Sequence, residues 1–237
     1  MMDEISDVTR QDIIDVIRNG FVVSFDEPQY DSISGNYIVS YRAKISYHGR
    51  LNELLWCAGI IMQKKGIVIF MDNQLLQIQN RTCRIYGTAS AEYLLLQMVD
   101  EHDLAGMERE VEAIRRQTAH LFLLAAVQVE NWNDDLSPWP APPVWGKQGF
   151  GGRAEDTLAW LEQAVPGISQ QYSIKEDCKV ILGGYSLAGL FALWAATQTN
   201  ALYGTAAASP SVWFPGWLEY EAAHPIQTRR VYLSLGD

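Results

Sequence analysis

The most constraining stretch of the 237-residue chain is 178-CKVILGGYSLAGLFALWAAT-197. Lys179, Val180, Ile181 and Leu182 form a short apolar run of the kind that makes a strand buried on both faces. Gly183, Gly184, Tyr185, Ser186, Leu187, Ala188 and Gly189 follow, and residues 190–196 are then apolar throughout and rich in helix formers. A strand, a glycine-rich turn around a serine and a buried helix predict a sharp bend. Such a bend lifts the Ser186 hydroxyl clear of a central sheet, above a helix N-terminus whose partial positive charge favours an oxyanion. The pattern is G-x-S-x-G with one change: the fifth position is Ala188, with Gly189 directly behind it. Ala is still small enough for close helix–strand packing. The competing reading is an ordinary strand–helix turn in a doubly wound sheet, with Ser186 as the helix N-cap.

Bulk properties narrow the choice. The chain is long enough for one large domain, or one domain and a small module, and its 48% hydrophobic content supplies a core. A net charge of −10 argues against nucleic acid or an anionic membrane as partner, because both select for Lys and Arg. The longest apolar run, around 180–196, is broken by the glycine turn, so no transmembrane helix is expected. The start, Met1-Met2-Asp3-Glu4-Ile5, is acidic and unlike a secretory signal. Cys57, Cys83 and Cys178 are scattered, which fits reduced thiols in a cytoplasm better than disulfides or a metal site. No cofactor is expected.

From about residue 80 strands alternate with helices. Strands are predicted at 93–99, 121–129, 179–182, 202–208 and 230–235, and helices at 104–117, 154–164 and 190–196. This is an α/β pattern: a mostly parallel sheet with helices on both faces and the Ser186 strand near its middle. Residues 1–75 read as a separate α+β segment of unknown role before a domain over 76–237. A helix is predicted at 7–18, and strands at 21–25, 37–47, 67–71 and 75–86.

Acyl transfer needs a nucleophile, a base, a group that orients the base and two oxyanion donors. Ser186 is the candidate nucleophile. The amide of Leu187 is the first candidate donor, and the backbone of Val99 or Asp100 is the second. The acidic run there has another reading, as carboxylates complementing the dipole of the 104–117 helix. Asp237, at the mouth of the 230–235 strand, stands where the acid belongs. No His follows it. His102 and His224 are candidate bases, because geometry and not chain order decides a triad. His48 lies in the unassigned N-terminal third, and His120 sits at the wrong edge of the sheet. The long loop 131–152 carries Trp132, Trp139 and Trp145 and is stiffened by Pro138, Pro140, Pro142 and Pro143. It reads as a substrate wall, or as a loop that the tryptophans anchor. Tyr185, Ser209 and Trp213 are expected at the same pocket.

These residues carry a resemblance. G-Y-S-L-A-G-L-F-A-L-W at 184–194, A-S-P-S-V-W-F at 208–214 and Y-L-S-L-G-D at 232–237 resemble the esterase D and enterochelin-type siderophore esterases, a family of α/β-hydrolases. The likeness runs from about Cys83 to the end. It implies Ser186 as nucleophile, a pocket wall at 209–213, an acid at or just after Asp237 and a small-molecule ester as substrate. Members of that family continue with another helix, a last strand and the catalytic His. The chain therefore resembles a truncated member, expected to be weak or inactive as given, with an exposed sheet edge that makes self-association a hazard. A non-catalytic binding protein that keeps the fold is the alternative. Separately, T-R-Q-D-I-I-D at 9–15 and G-R-L-N-E at 49–53 resemble an N-terminal module of bacterial abortive-infection proteins, from which no function is carried over.

Overall fold

A computed structural model describes the backbone of residues 21–25, 29–31, 36–47, 50–63, 66–144 and 146–235, and the side chains of 73–144 and 146–235. In chain order the strands and helices are β1 (Phe21–Phe25), β2 (Gln29–Asp31), β3 (Asn36–Tyr47), β4 (Arg50–Gln63), β5 (Gly66–Ile78), β6 (Arg81–Thr88), β7 (Tyr93–Val99), α1 (Glu101–Leu104), α2 (Met107–Gln117), β8 (Phe122–Gln128), α3 (Trp132–Asp135), β9 (Pro140–Ala141), β10 (Phe150–Gly151), α4 (Ala154–Gln171), β11 (Lys179–Tyr185), α5 (Leu187–Gln198), β12 (Gly204–Ala208), α6 (Trp217–Ala223) and β13 (Arg230–Ser234).

The strands β7, β8, β11, β12 and β13 pair in parallel, in the order β8-β7-β11-β12-β13. On the far side of β8 the same sheet continues antiparallel through β6, β5, β4, β3 and β1. β8 (FLLAAVQ) is apolar almost throughout because both its faces are covered, and its first six residues are buried. On one face Leu94, Leu96, Met98, Leu123, Ala125, Val127 and Leu182 pack against α4 and α5. On the other, Leu124, Ala126 and Phe122 meet Met107 and Val111 of α2. Helices on both faces of a parallel half-sheet are what the alternation of elements predicts. β11 lies inside that half, with β7 on one side and β12 on the other.

Three local expectations need correction. The strand predicted over 75–86 is a hairpin: β5 ends at Ile78, β6 starts at Arg81, and Gln79 turns the chain at a φ of 51°. No glycine marks that turn, so its signal in the sequence is weak. The helix predicted over 104–117 is split. Asp100 and Asp103 form a reciprocal capping box that closes α1 as its own turn, and Gly106 stands before α2. The helix predicted over 154–164 runs on to Gln171, through Pro166. Burial of Ile168 and Tyr172 outweighs the hydrogen bond that the proline removes. The helix expected at 7–18 and the fragment at 9–15 lie outside the described residues, while residues 50–53 open β4. β5 crosses the line drawn between 75 and 76.

Candidate active site

The bend after β11 is tight because three small residues allow it. A Cβ on Gly184 would sit 2.5 Å from Ala188 Cβ and 2.6 Å from its carbonyl carbon. A Cβ on Gly189 would lie 3.0 Å from Gly184 O and 3.2 Å from Pro210 Cα. Helix α5 is thereby pressed onto the end of β11 and the turn that follows β12. Ser186, between them, has φ 56° and ψ −119°, a backbone state that side chains rarely adopt and that surrounding structure must enforce.

Ser186 does not cap α5 with its side chain. Its Oγ instead lies 3.2 Å from Ser211 Oγ. The backbone of Ser186 is held on both sides: its N–H donates to Ala208 O at 3.0 Å, and its carbonyl accepts from Leu190 N at 3.1 Å and Ser211 N at 3.0 Å. Ser186 is half-buried. Leu187 is the first residue of α5, so its N–H has no partner within the helix.

The parallel register pairs Gly183 with Gln97. Val99 is the last residue of β7, and Asp100 follows it at the carboxyl end of that strand. Val99 is buried, and its carbonyl accepts from Val129 N at 2.9 Å. The Asp100 N–H is engaged by Asp103 Oδ2 at 3.3 Å, within the capping box. Burial pushes the Asp103 carboxyl above its ordinary range.

Two clefts open around this end of the sheet. One, of about 810 Å³, is lined by Asp100, Glu101, His102, Glu130 and Trp132 among others. The other, of about 640 Å³, lies on the α2 face and is lined by His102, Asp103, Tyr185, Ala206, Ala208 and Tyr232 among others. Ser186 is not in the lining of either, but its chain neighbour Tyr185 lines the second. His102 lines both.

The histidines differ in their settings. His120 lies at the opposite, amino edge of the parallel strands, as expected, with Nδ1 2.8 Å from Glu92 Oε2. His224 is stacked on Tyr220 at 3.9 Å, with Nδ1 2.8 Å from Tyr220 O. Among the described residues no histidine is hydrogen-bonded to Ser186 Oγ. His48 and the candidate acid Asp237 lie outside the described residues.

The tryptophans of the long loop play different parts. Trp139 is an anchor: its indole N–H donates to Pro215 O at 2.9 Å, and its ring meets Phe214 at 5.5 Å and Tyr220 at 5.1 Å. The loop base is tied by buried Asp135, which accepts from Arg153 at 2.7 Å and lies 3.6 Å from Arg81. Trp132 lines the larger cleft. Trp213 is 43% exposed and faces Phe150 at 6.2 Å. Ser209 has a φ of 43°, and its N–H donates to Ser234 O at 2.7 Å. The sequence points to a wall at 209–213 but does not single out Ser211, because only the fold brings it to Ser186.

Among the described residues no cluster of His, Cys, Asp and Glu suited to a metal ion occurs, and no helix is long and apolar enough to cross a membrane.

No family model matches this sequence, and no curated protein does. Solved structures do. A siderophore hydrolase, EstA from Aspergillus nidulans, aligns with a TM-score of 0.51 at 20% identity over 69% of this chain and 68% of its own. The enterobactin and salmochelin hydrolase IroE aligns with a TM-score of 0.51 at 16% identity over 73% of this chain and 90% of its own. At such identities the likeness is one of architecture. The parallel half-sheet, the helices on its two faces and the bend after β11 together have the α/β-hydrolase fold.

Proposed function

We propose that this chain is a serine ester hydrolase acting on a small-molecule carboxylic ester through Ser186. The observation that carries the reading is the backbone of Ser186, held at φ 56° and ψ −119° at the head of a buried helix that its hydroxyl does not cap. A strained residue whose side chain is withheld from the obvious structural role is suited to chemistry. In the proposed reaction Ser186 Oγ attacks the ester carbonyl carbon and the carbonyl oxygen takes up the electron pair. Leu187 N–H and a donor at Val99 or Asp100 hold that oxygen. A base, His102 or solvent, takes the Ser186 proton and returns it to the leaving alkoxide as the C–O bond breaks. Water then cleaves the acyl-serine, giving the acid and restoring the Ser186 hydroxyl. For Asp100 to donate, its capping box must open. Tyr185, Ser209 and Trp213 are the proposed pocket residues and Asp237 the proposed acid, within a catalytic domain over 76–237. That two structures of the same fold are a siderophore hydrolase and an enterobactin and salmochelin hydrolase supports a small-molecule ester as the substrate class.

Turnover depends on a base for Ser186. An unassisted serine hydroxyl is a poor nucleophile at neutral pH, and loss of a triad member typically lowers the rate by about 10⁴–10⁶-fold. Of the candidate bases, His102 is the better placed, since it lines both clefts beside the bend. A second reading, a binding protein that keeps the fold, is favoured by the lack of a histidine on Ser186 Oγ among the described residues. Turnover of p-nitrophenyl acetate by the chain and by Ser186→Ala separates them. A slow rate abolished in Ser186→Ala supports the hydrolase; equal rates support the binding protein.

A further inference from the structure

Ser211 is buried, with 1% of its surface exposed. A buried hydroxyl is unfavourable unless it is hydrogen-bonded, so a serine there needs a partner. That partner is Ser186 Oγ, 3.2 Å away. The contact is built into the backbone. Ser211 N–H donates to Ser186 O at 3.0 Å, Phe214 N–H donates to Ser211 O at 3.0 Å, and Pro210 lies where a Cβ on Gly189 would touch it at 3.2 Å. The turn after β12 is thus locked to the bend after β11, and the two hydroxyls can separate only by rotating about their own χ1.

Resting on the hydrolase reading above, we propose that Ser211 is a positioning residue, whose hydroxyl donates to Ser186 Oγ. With Ser211 as donor, the proton of Ser186 stays free to be given up to a base, whether a histidine or solvent. Negative charge gathers on Ser186 Oγ as that proton leaves, and the hydrogen bond from Ser211 strengthens as it does so. Ser211 keeps its own proton throughout and fixes the rotamer from which Ser186 attacks.

The test is the rate at which a fluorophosphonate probe labels Ser186 in the full chain, with melting temperature measured beside it. Ser211→Ala is expected to label about tenfold more slowly, the scale of one hydrogen bond to a charged oxygen, while melting close to the parent. Ser211→Thr, which restores the hydroxyl, is expected to return the rate to within about threefold. Should the methyl of Thr lower the melting temperature, Ser211→Cys keeps the unbranched shape with a weaker donor and is expected to label at an intermediate rate. Unchanged labelling in Ser211→Ala overturns the proposal, as does slow labelling that neither hydroxyl nor thiol improves, since that marks a packing role. Failure of the parent chain to label at all overturns the hydrolase reading and this inference with it.

Discussion

At the scale of single residues, Ser186 is held in a conformation that glycine would adopt without strain. Non-glycine residues in sparsely populated backbone regions cost on the order of 1–3 kcal/mol. Ser186→Gly should therefore be more stable than Ser186→Ala, which keeps a Cβ at φ 56°, by about 1 kcal/mol, or roughly 2–4 °C in melting temperature. Thermal melts of the two variants check this, and equal melting would show that the bend imposes no strain. Ser186 is legible in the sequence because the small residues around it answer a steric need. Gly184 and Gly189 admit the backbone of α5 and the turn after β12. Ser211 is not legible there. Its contact with Ser186 spans 25 positions and exists only once β11 and β12 lie side by side.

At the scale of elements, the legible ones are those whose hydrophobic pattern is decided by burial on both faces. β8 and α5 read clearly for that reason, and in α5 residues 187–197 are all buried. β11 reads clearly from its apolar run although only Leu182 in it is fully buried. Boundaries set by polar local chemistry are harder to foresee. The α1–α2 break depends on a capping box between two aspartates, and the β5–β6 turn depends on Gln79 accepting a positive φ. The loop after β8 is visibly aromatic and stiff from its sequence. Which tryptophan anchors it and which faces a cleft depends on where Pro215 and Tyr220 fall in space. At the other end of the sheet, β13 pairs with β12, and Val231, Tyr232 and Leu233 are 47%, 62% and 53% exposed.

At the scale of the whole molecule, two buried acids predict that the core loses stability at alkaline pH. Burial pushes the Cys83 thiol from 9.0 up to about 12, with Arg81 opposing, and pushes the Tyr172 hydroxyl from 10.0 up to about 12. Above pH 9 the unfolded chain loses the Cys83 proton while the folded chain keeps it. The folded state then binds more protons, so stability falls as pH rises from about 9 to about 12, by about 1.4 kcal/mol per pH unit for each such group. Tyr172 joins only above about pH 10. Urea unfolding at pH 8 and pH 10 should show a smaller loss for Cys83→Ala than for the parent chain. Equal losses would mean that Cys83 is not sealed in the core.

The account as a whole depends on one hydroxyl being presented, reactive, at the end of β11. Labelling the full chain with a fluorophosphonate and locating the adduct by mass spectrometry tests that most directly. The account predicts slow, stoichiometric modification confined to the peptide carrying Ser186 and absent in Ser186→Ala. Modification of a different serine, or none after prolonged exposure, would contradict it.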